Sequence, residues 1–180
     1  GTAWCFRHNE EGRVVSNCLK RPAAEFTRER LTTGQTAEAL KKIMEMCQEA
    51  ADQSADFNQK EFIFTVSPIR HFKDGAHGNQ ISKSTLLMGV EKTVQEHSWC
   101  SYFPSYEIMM DELRDYRFYA EDMVHPSELA VKYIFDRFKE LEQMMQLPGI
   151  ASDGQKYAKI MKEYTSLSPI AEAFCAYTEN

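Results

Sequence analysis

At 180 residues and 43% hydrophobic, the chain is long enough for one domain with a substantial core and too short for two of ordinary size. A formal net charge of -6 and a sequence pI near 5.4, with the acids scattered rather than blocked, leave no basic face for phosphates and argue against nucleic acid or an anionic membrane as partners. No apolar run approaches the roughly 20 residues that span a bilayer, which excludes a transmembrane reading.

The opening "GTAWCF" reads as the end of a strand entering a loop. It has no initiator Met, so the chain is expected to begin partway through a larger protein, with its first βα units upstream. "EEGRVVSNCLKRP" carries Gly, Asn and Pro punctuation and predicts an irregular or hairpin-like segment with one short strand. "TAEALKKIMEMCQEAADQ" places Leu40, Ile43, Met44, Cys47 and Ala51 on one face of an amphipathic helix. "KEFIFTVSP", with Phe62, Ile63, Phe64 and Val66 ended by Pro68, predicts a parallel central strand buried on both faces. The polar, Gly-containing "IRHFKDGAHGNQ" reads as a loop leaving that strand's carboxyl end. A helix is predicted in "SKSTLLMGVEKTVQEH", with Leu86, Leu87, Val90 and Val94 on one face and Ser82 or Ser84 as its cap. "WCSYF", stopped by Pro104, predicts another strand, and "YEIMMDELRDY" a short helix. A loop containing Asp122 follows, then a long helix through "SELAVKYIFDRFKELEQMM" with Val131, Ile134, Phe135, Phe138 and Leu141 at helical spacing. Past "LPGIASDG" the pattern breaks, which divides the chain into an α/β domain over residues 1–147 and a helical extension over residues 148–180.

The alternation of helix and strand predicts an α/β fold with a mostly parallel sheet and helices on both faces. Such sheets carry ligand sites at the carboxyl ends of their strands, so the informative loops follow the opening strand, Val66 and Phe103, joined by the loop at Asp122. The five cysteines, Cys5, Cys18, Cys47, Cys100 and Cys175, form no paired C-x-x-C arrangement. They read as reduced thiols suited to a reducing, cytoplasmic compartment.

A general base needs a histidine whose second ring nitrogen is held by a carboxylate, because that contact fixes the tautomer and steadies the imidazolium. Asp122 and His125, three positions apart in a loop, supply both groups, and Pro126 at the first position of the following helix would hold the histidine in place. The alternative is that Asp122 caps a turn and His125 merely precedes a helix. Ser67 precedes Pro68 and lacks a G-x-S-x-G elbow, so it reads as a turn or cap residue. Arg70 and His71, in the loop after that strand, are candidates for binding a substrate; Arg70 would hold a carboxylate or phosphate, or else form a surface salt bridge. His71 and His77 lack the Cys or acidic partners of a zinc site, no Gly-rich phosphate loop appears, and neither metal nor cofactor is expected. Met109, Met110, Tyr116, Phe118 and Tyr119 read as core, and Arg114 and Arg117 as partners of Asp111 and Asp115.

"FTVSPIRHFKDG" and the longer "SYFPSYEIMMDELRDYRFYAEDMVHPSE" resemble the GSCFA family, a bacterial group of hydrolase-like domains related to the SGNH or GDSL esterases. "GTAW" resembles that family's middle strand, and "SNCLK" the Asn-Cys-His-Lys segment after it. The match runs from about residue 1 to about residue 140. The resemblance implies a three-layer, flavodoxin-like SGNH fold in which the D-x-x-H-P loop, here "DMVHP", carries the catalytic Asp122 and His125. It also implies a serine nucleophile in a Gly-Ser-Cys-Phe-Ala segment, which this sequence lacks and which is therefore expected upstream of Gly1. Where SGNH enzymes place Gly-x-Asn as oxyanion donors, the sequence reads Gly1, Thr2, Ala3: Gly1 remains a candidate donor and the Asn is absent. Asn17 replaces it if its loop folds back, or else is a turn residue, and Leu19 stands where the family has His. The implied activity is hydrolysis of an ester or acyl bond on a small-molecule, carbohydrate or lipid-linked substrate; the alternative is a binding or scaffolding domain on the same fold.

Overall fold

Residues 1–16, 20–52 and 61–145 are described by a computed structural model of the chain, so Asn17, Leu19 and the expected extension over residues 148–180 lie outside the described residues. Packing divides the chain into two compact units, Gly1–Tyr106 and Glu107–Asn180.

In the first unit the opening strand runs straight into a hairpin. Strand β1 (Trp4–His8) pairs antiparallel with β2 (Val14–Val15), Phe6 facing Val15. The turn between them closes with Gly12 N–H donating to the His8 carbonyl at 2.8 Å, and Gly12 sits at φ 66, a conformation that favours glycine. On its other side β1 pairs antiparallel with β3 (Phe26–Arg30), from Trp4 opposite Arg30 to His8 opposite Phe26. Periodicity gives no sign of β3, because "FTRER" is polar and charged and is held by its backbone ladder. Arg28 turns its guanidinium over the Trp4 ring, 3.8 Å from the centroid, and donates to both oxygens of Asp74 at 2.5 Å.

Helix α1 (Thr33–Asp52) starts three residues before the predicted stretch, and its end explains why. Thr32 Oγ1 accepts from Gln35 N–H at 3.2 Å while Gln35 Oε1 accepts from Thr32 N–H at 2.9 Å, a reciprocal capping box. Helix α2 (Gly75–Glu96) likewise starts well before the predicted cap. Its first two glycines serve different ends: Gly75 sits at φ 71, a conformation that favours glycine, and a Cβ on Gly78 would come within 2.6 Å of Asp74 Cβ, so the Arg28-bound aspartate lies across the first turn. Ser82 is therefore no cap; it is buried in mid-helix, and Ser84 follows two residues later in the same helix. α1 lies on α2, with Gly89 set against the Thr36 side chain.

Strand β4 (Phe62–Thr65) and strand β5 (Cys100–Phe103) pair in parallel, Phe62 with Cys100 through Thr65 with Phe103, and α2 is the crossover between them. Two expectations are corrected here. The parallel sheet holds these two strands alone among the described residues, while β1 to β3 form a separate antiparallel sheet. Phe62, Ile63 and Phe64 are half-buried, not enclosed on both faces, and β5 is the one strand beside β4 among the described residues. Cys100 Sγ, buried, meets the buried Met44 Sδ of α1 at 3.2 Å. The architecture is mixed α/β with a small parallel sheet. No helix among the described residues is long and apolar enough to cross a membrane.

Helix α3 (Ser105–Glu107) leads into a π-helical turn, Ile108–Leu113, whose Ile108, Met109 and Leu113 are buried. Arg114 stops it in the left-handed region at φ 38. Arg114 and Arg117 pair with Asp111 and Asp115 at 3.5 and 3.1 Å, as the local spacing predicts. Helix α4 (Glu128–Met145) lies against the π-helical turn, and Tyr133 donates to Glu112 Oε2 at 2.9 Å.

Candidate active-site loop and strand-end cluster

The loop between Tyr119 and Ser127 is closed by its own backbone. Ser127 N–H donates to the Phe118 carbonyl at 2.7 Å, Tyr119 and Pro126 form an antiparallel bridge, and Ala120 N–H donates to the His125 carbonyl at 2.8 Å. The turn inside this frame holds Met123 at φ 56, a strained position for a side chain that is not glycine. Pro126 thus sits in the bridge, two residues before α4, rather than at its first position. Ser127 is the cap, accepting from Ala130 N–H at 3.3 Å.

Asp122 does two things with its two oxygens. Oδ1 accepts from the backbone N–H groups of Val124 and His125, each at 2.9 Å, and Oδ2 lies 2.5 Å from His125 Nδ1. One side chain therefore both caps the turn and contacts the imidazole. The His125 backbone N–H, then the His125 ring, then the Val124 N–H draw the Asp122 carboxyl down to about 2. A carboxylate held ionised in this way only accepts, so Nδ1 carries the ring proton and the Nε2 lone pair is left for a substrate or nucleophile. The side chains of His125 and Asp122 are 57% and 49% exposed. Local hydrogen bonding, and not burial, sets the ring's orientation, because in so wet a setting the ionic attraction is screened.

At the carboxyl end of β4, within the first unit, a second polar cluster gathers. Ser67 Oγ accepts from Ile69 N–H at 3.3 Å, a turn contact, and its carbonyl accepts from Lys83 Nζ at 2.6 Å. The same ammonium donates to the Gly1 carbonyl at 2.8 Å. Ser82 Oγ accepts from Ala3 N–H at 2.7 Å and lies 3.0 Å from Thr2 Oγ1. Arg70 and His71 follow in the loop: the Arg70 guanidinium lies 5.8 Å from the Phe72 ring centroid, and His71 N–H donates to Asn79 Oδ1 at 2.9 Å. Asn17, the other oxyanion candidate, lies outside the described residues. Among the described residues no three His, Cys, Asp or Glu side chains converge as metal ligands.

Lys83 and Ser82 have no place in the sequence-predicted site. The signal was present: Lys83 stands three, four and seven residues before Leu86, Leu87 and Val90, on the helix face assigned to the core. A lysine at such a position is enclosed or breaks the stripe, and here it is enclosed. No curated protein and no solved structure matches the chain. The model of the GSCFA family matches residues 1–138, covering β1 through most of α4 with the Asp122–His125 loop inside it, and the chain belongs to that family.

Proposed function

We propose that this is a hydrolase domain of SGNH type, built on a three-layer α/β fold, that cleaves ester or acyl bonds on a small-molecule, carbohydrate or lipid-linked substrate. His125 acts as general base toward a serine hydroxyl and then as general acid toward the leaving group, and Asp122 orients the ring and steadies the imidazolium. The nucleophile is the serine that the family resemblance puts before Gly1. The observation that supports this reading is the 2.5 Å contact from Asp122 Oδ2 to His125 Nδ1, with the other carboxylate oxygen tied to the loop backbone. Family membership supports it as well. Cys5 and Cys100 are unbridged thiols, which suits a reducing, cytoplasmic setting.

The test is turnover of short-chain nitrophenyl esters by protein that includes the serine-bearing segment. His125→Ala is expected to lower kcat by about 10²- to 10⁴-fold, and Asp122→Asn by a comparable factor because it changes which ring nitrogen holds the proton. Turnover indifferent to His125→Ala would remove the mechanism.

A second reading, a binding domain on the same fold, is favoured by Ala3. That residue stands where an SGNH enzyme has its oxyanion Asn, brings no polar side chain, and spends its backbone N–H on Ser82. Under this reading the protein retains an acyl-sugar or lipid ester by equilibrium binding without turning it over.

A further inference from the structure

Lys83 has no exposed surface. Its ammonium donates to two backbone carbonyls, Gly1 and Ser67, and has the Tyr106 ring 5.9 Å away; no carboxylate among the described residues pairs with it. Enclosing an ammonium without a counter-ion is costly, and an apolar side chain of similar length would fill the same space without that cost. What the charge adds is a link between segments far apart in the chain. Gly1 lies just before β1 and Ser67 just after β4, so one Nζ ties the segment that enters the antiparallel sheet to the carboxyl end of the parallel strand β4, the kind of strand end where α/β proteins bind ligands. Ser82 does the same for the next two residues, through Thr2 Oγ1 and Ala3 N–H. Two consecutive side chains of α2 therefore fix three consecutive residues of the segment in which the oxyanion donor is expected.

We infer that Lys83 is a positioning residue, holding the Gly1 backbone beside the carboxyl end of β4 so that Gly1 N–H is kept in place as an oxyanion donor. This rests on the hydrolase reading above. Lys83 is enclosed, so it acts through the Gly1 carbonyl and touches no substrate. Burial pushes its ammonium down to about 8. Among the described residues the titratable side chain that faces it is Tyr106, whose hydroxyl donates to Gln80 Oε1 at 2.8 Å. Loss of the proton exchanges two charge-assisted hydrogen bonds for weaker neutral ones.

The experiment compares wild type, Lys83→Met, His125→Ala and the exposed-site control Lys92→Met in nitrophenyl ester hydrolysis, using protein that carries the serine segment. Lys83→Met is expected to lower kcat by about 100-fold with KM within about twofold, the pattern of a lost transition-state alignment. Lys92→Met leaves both constants unchanged. If His125→Ala abolishes turnover while Lys83→Met keeps kcat within about twofold, the Lys83 proposal alone fails. If His125→Ala leaves turnover intact, the hydrolase reading fails and takes this proposal with it. Should Lys83→Met not fold, the wild-type profile decides: kcat declining with a midpoint near pH 8 supports the role, and kcat flat from about pH 7 to about pH 9.5 overturns it.

Discussion

Asp122 shows how much one carboxylate can specify. With Oδ1 on two backbone N–H groups and Oδ2 on the imidazole, it fixes the turn and the ring tautomer together. Asparagine at this position would keep one acceptor and replace the other by a donor. In Asp122→Asn the carbonyl oxygen is expected to retain the Val124 and His125 N–H bonds, while the amide NH₂ donates to Nδ1 and drives the proton to Nε2. Ring ¹⁵N shifts of His125 should invert between wild type and Asp122→Asn while amide protection at Val124 persists. Unchanged ring shifts would show that the pair is not the tautomer-setting contact. The pH dependence has a definite sign. The folded carboxyl sits at about 2, below its ordinary 3.8, so its contribution to loop order is complete above about 3.8 and is lost as pH falls through about 2. Amide protection at Val124 and His125, taken as exchange relative to the intrinsic rate at each pH, should be constant from pH 5 to about pH 3.8 and fall as the pH is lowered toward about 2.

At the scale of elements, helix ends and close approaches carry the testable energetics. The Thr32–Gln35 capping box satisfies donors at the start of α1 that would otherwise have no acceptor. Thr32→Ala is expected to destabilise by about 1 kcal/mol in a denaturant titration, and Thr32→Ser to restore most of it. Gly89 is required by packing and not by backbone conformation: a Cβ there would lie 2.5 Å from Thr36 Cγ2, itself on a buried side chain. Gly89→Ala should cost about 1–3 kcal/mol by overpacking, even though alanine is the better helix former. Pairing it with Thr36→Ser, which removes the opposing methyl, should recover part of the loss; additive effects would show that the two sites do not touch. In α4 the helical period was legible, yet Val131 and Phe135 remain 55% and 53% exposed while Ala130 and Leu141 are buried. The stripe that is covered runs along one edge of the apolar face, a choice that periodicity leaves open.

At the scale of the whole chain, the first unit depends on links between distant segments. Arg28 of β3 lies over Trp4 of β1 and grips Asp74 at the start of α2, joining the antiparallel sheet to the crossover helix. The guanidinium holds the Asp74 carboxyl below its ordinary value, so this link too is present above about pH 4 and fails in acid. Arg28→Met should lower the melting temperature at neutral pH and flatten its decline below about pH 4; an unaltered acid limb would show that the pair carries no linkage. The helices, the β4 and β5 runs and the Asp122–His125 pair were legible in the sequence, because each is set by spacing within a few residues. The separate antiparallel sheet, the charged strand β3 and the true start of α2 were not, since backbone pairing leaves no mark on side-chain pattern and a Gly-rich start looks like a loop. By itself the sequence determined the family, the α/β content and a histidine three residues beyond its aspartate. Only the tertiary structure decided that the aspartate divides its oxygens between turn and ring, and that a lysine on a core-facing stripe is enclosed against two carbonyls. Both depend on which atoms of separate segments come within about 3 Å, and that distance is set by folding rather than by the order of residues.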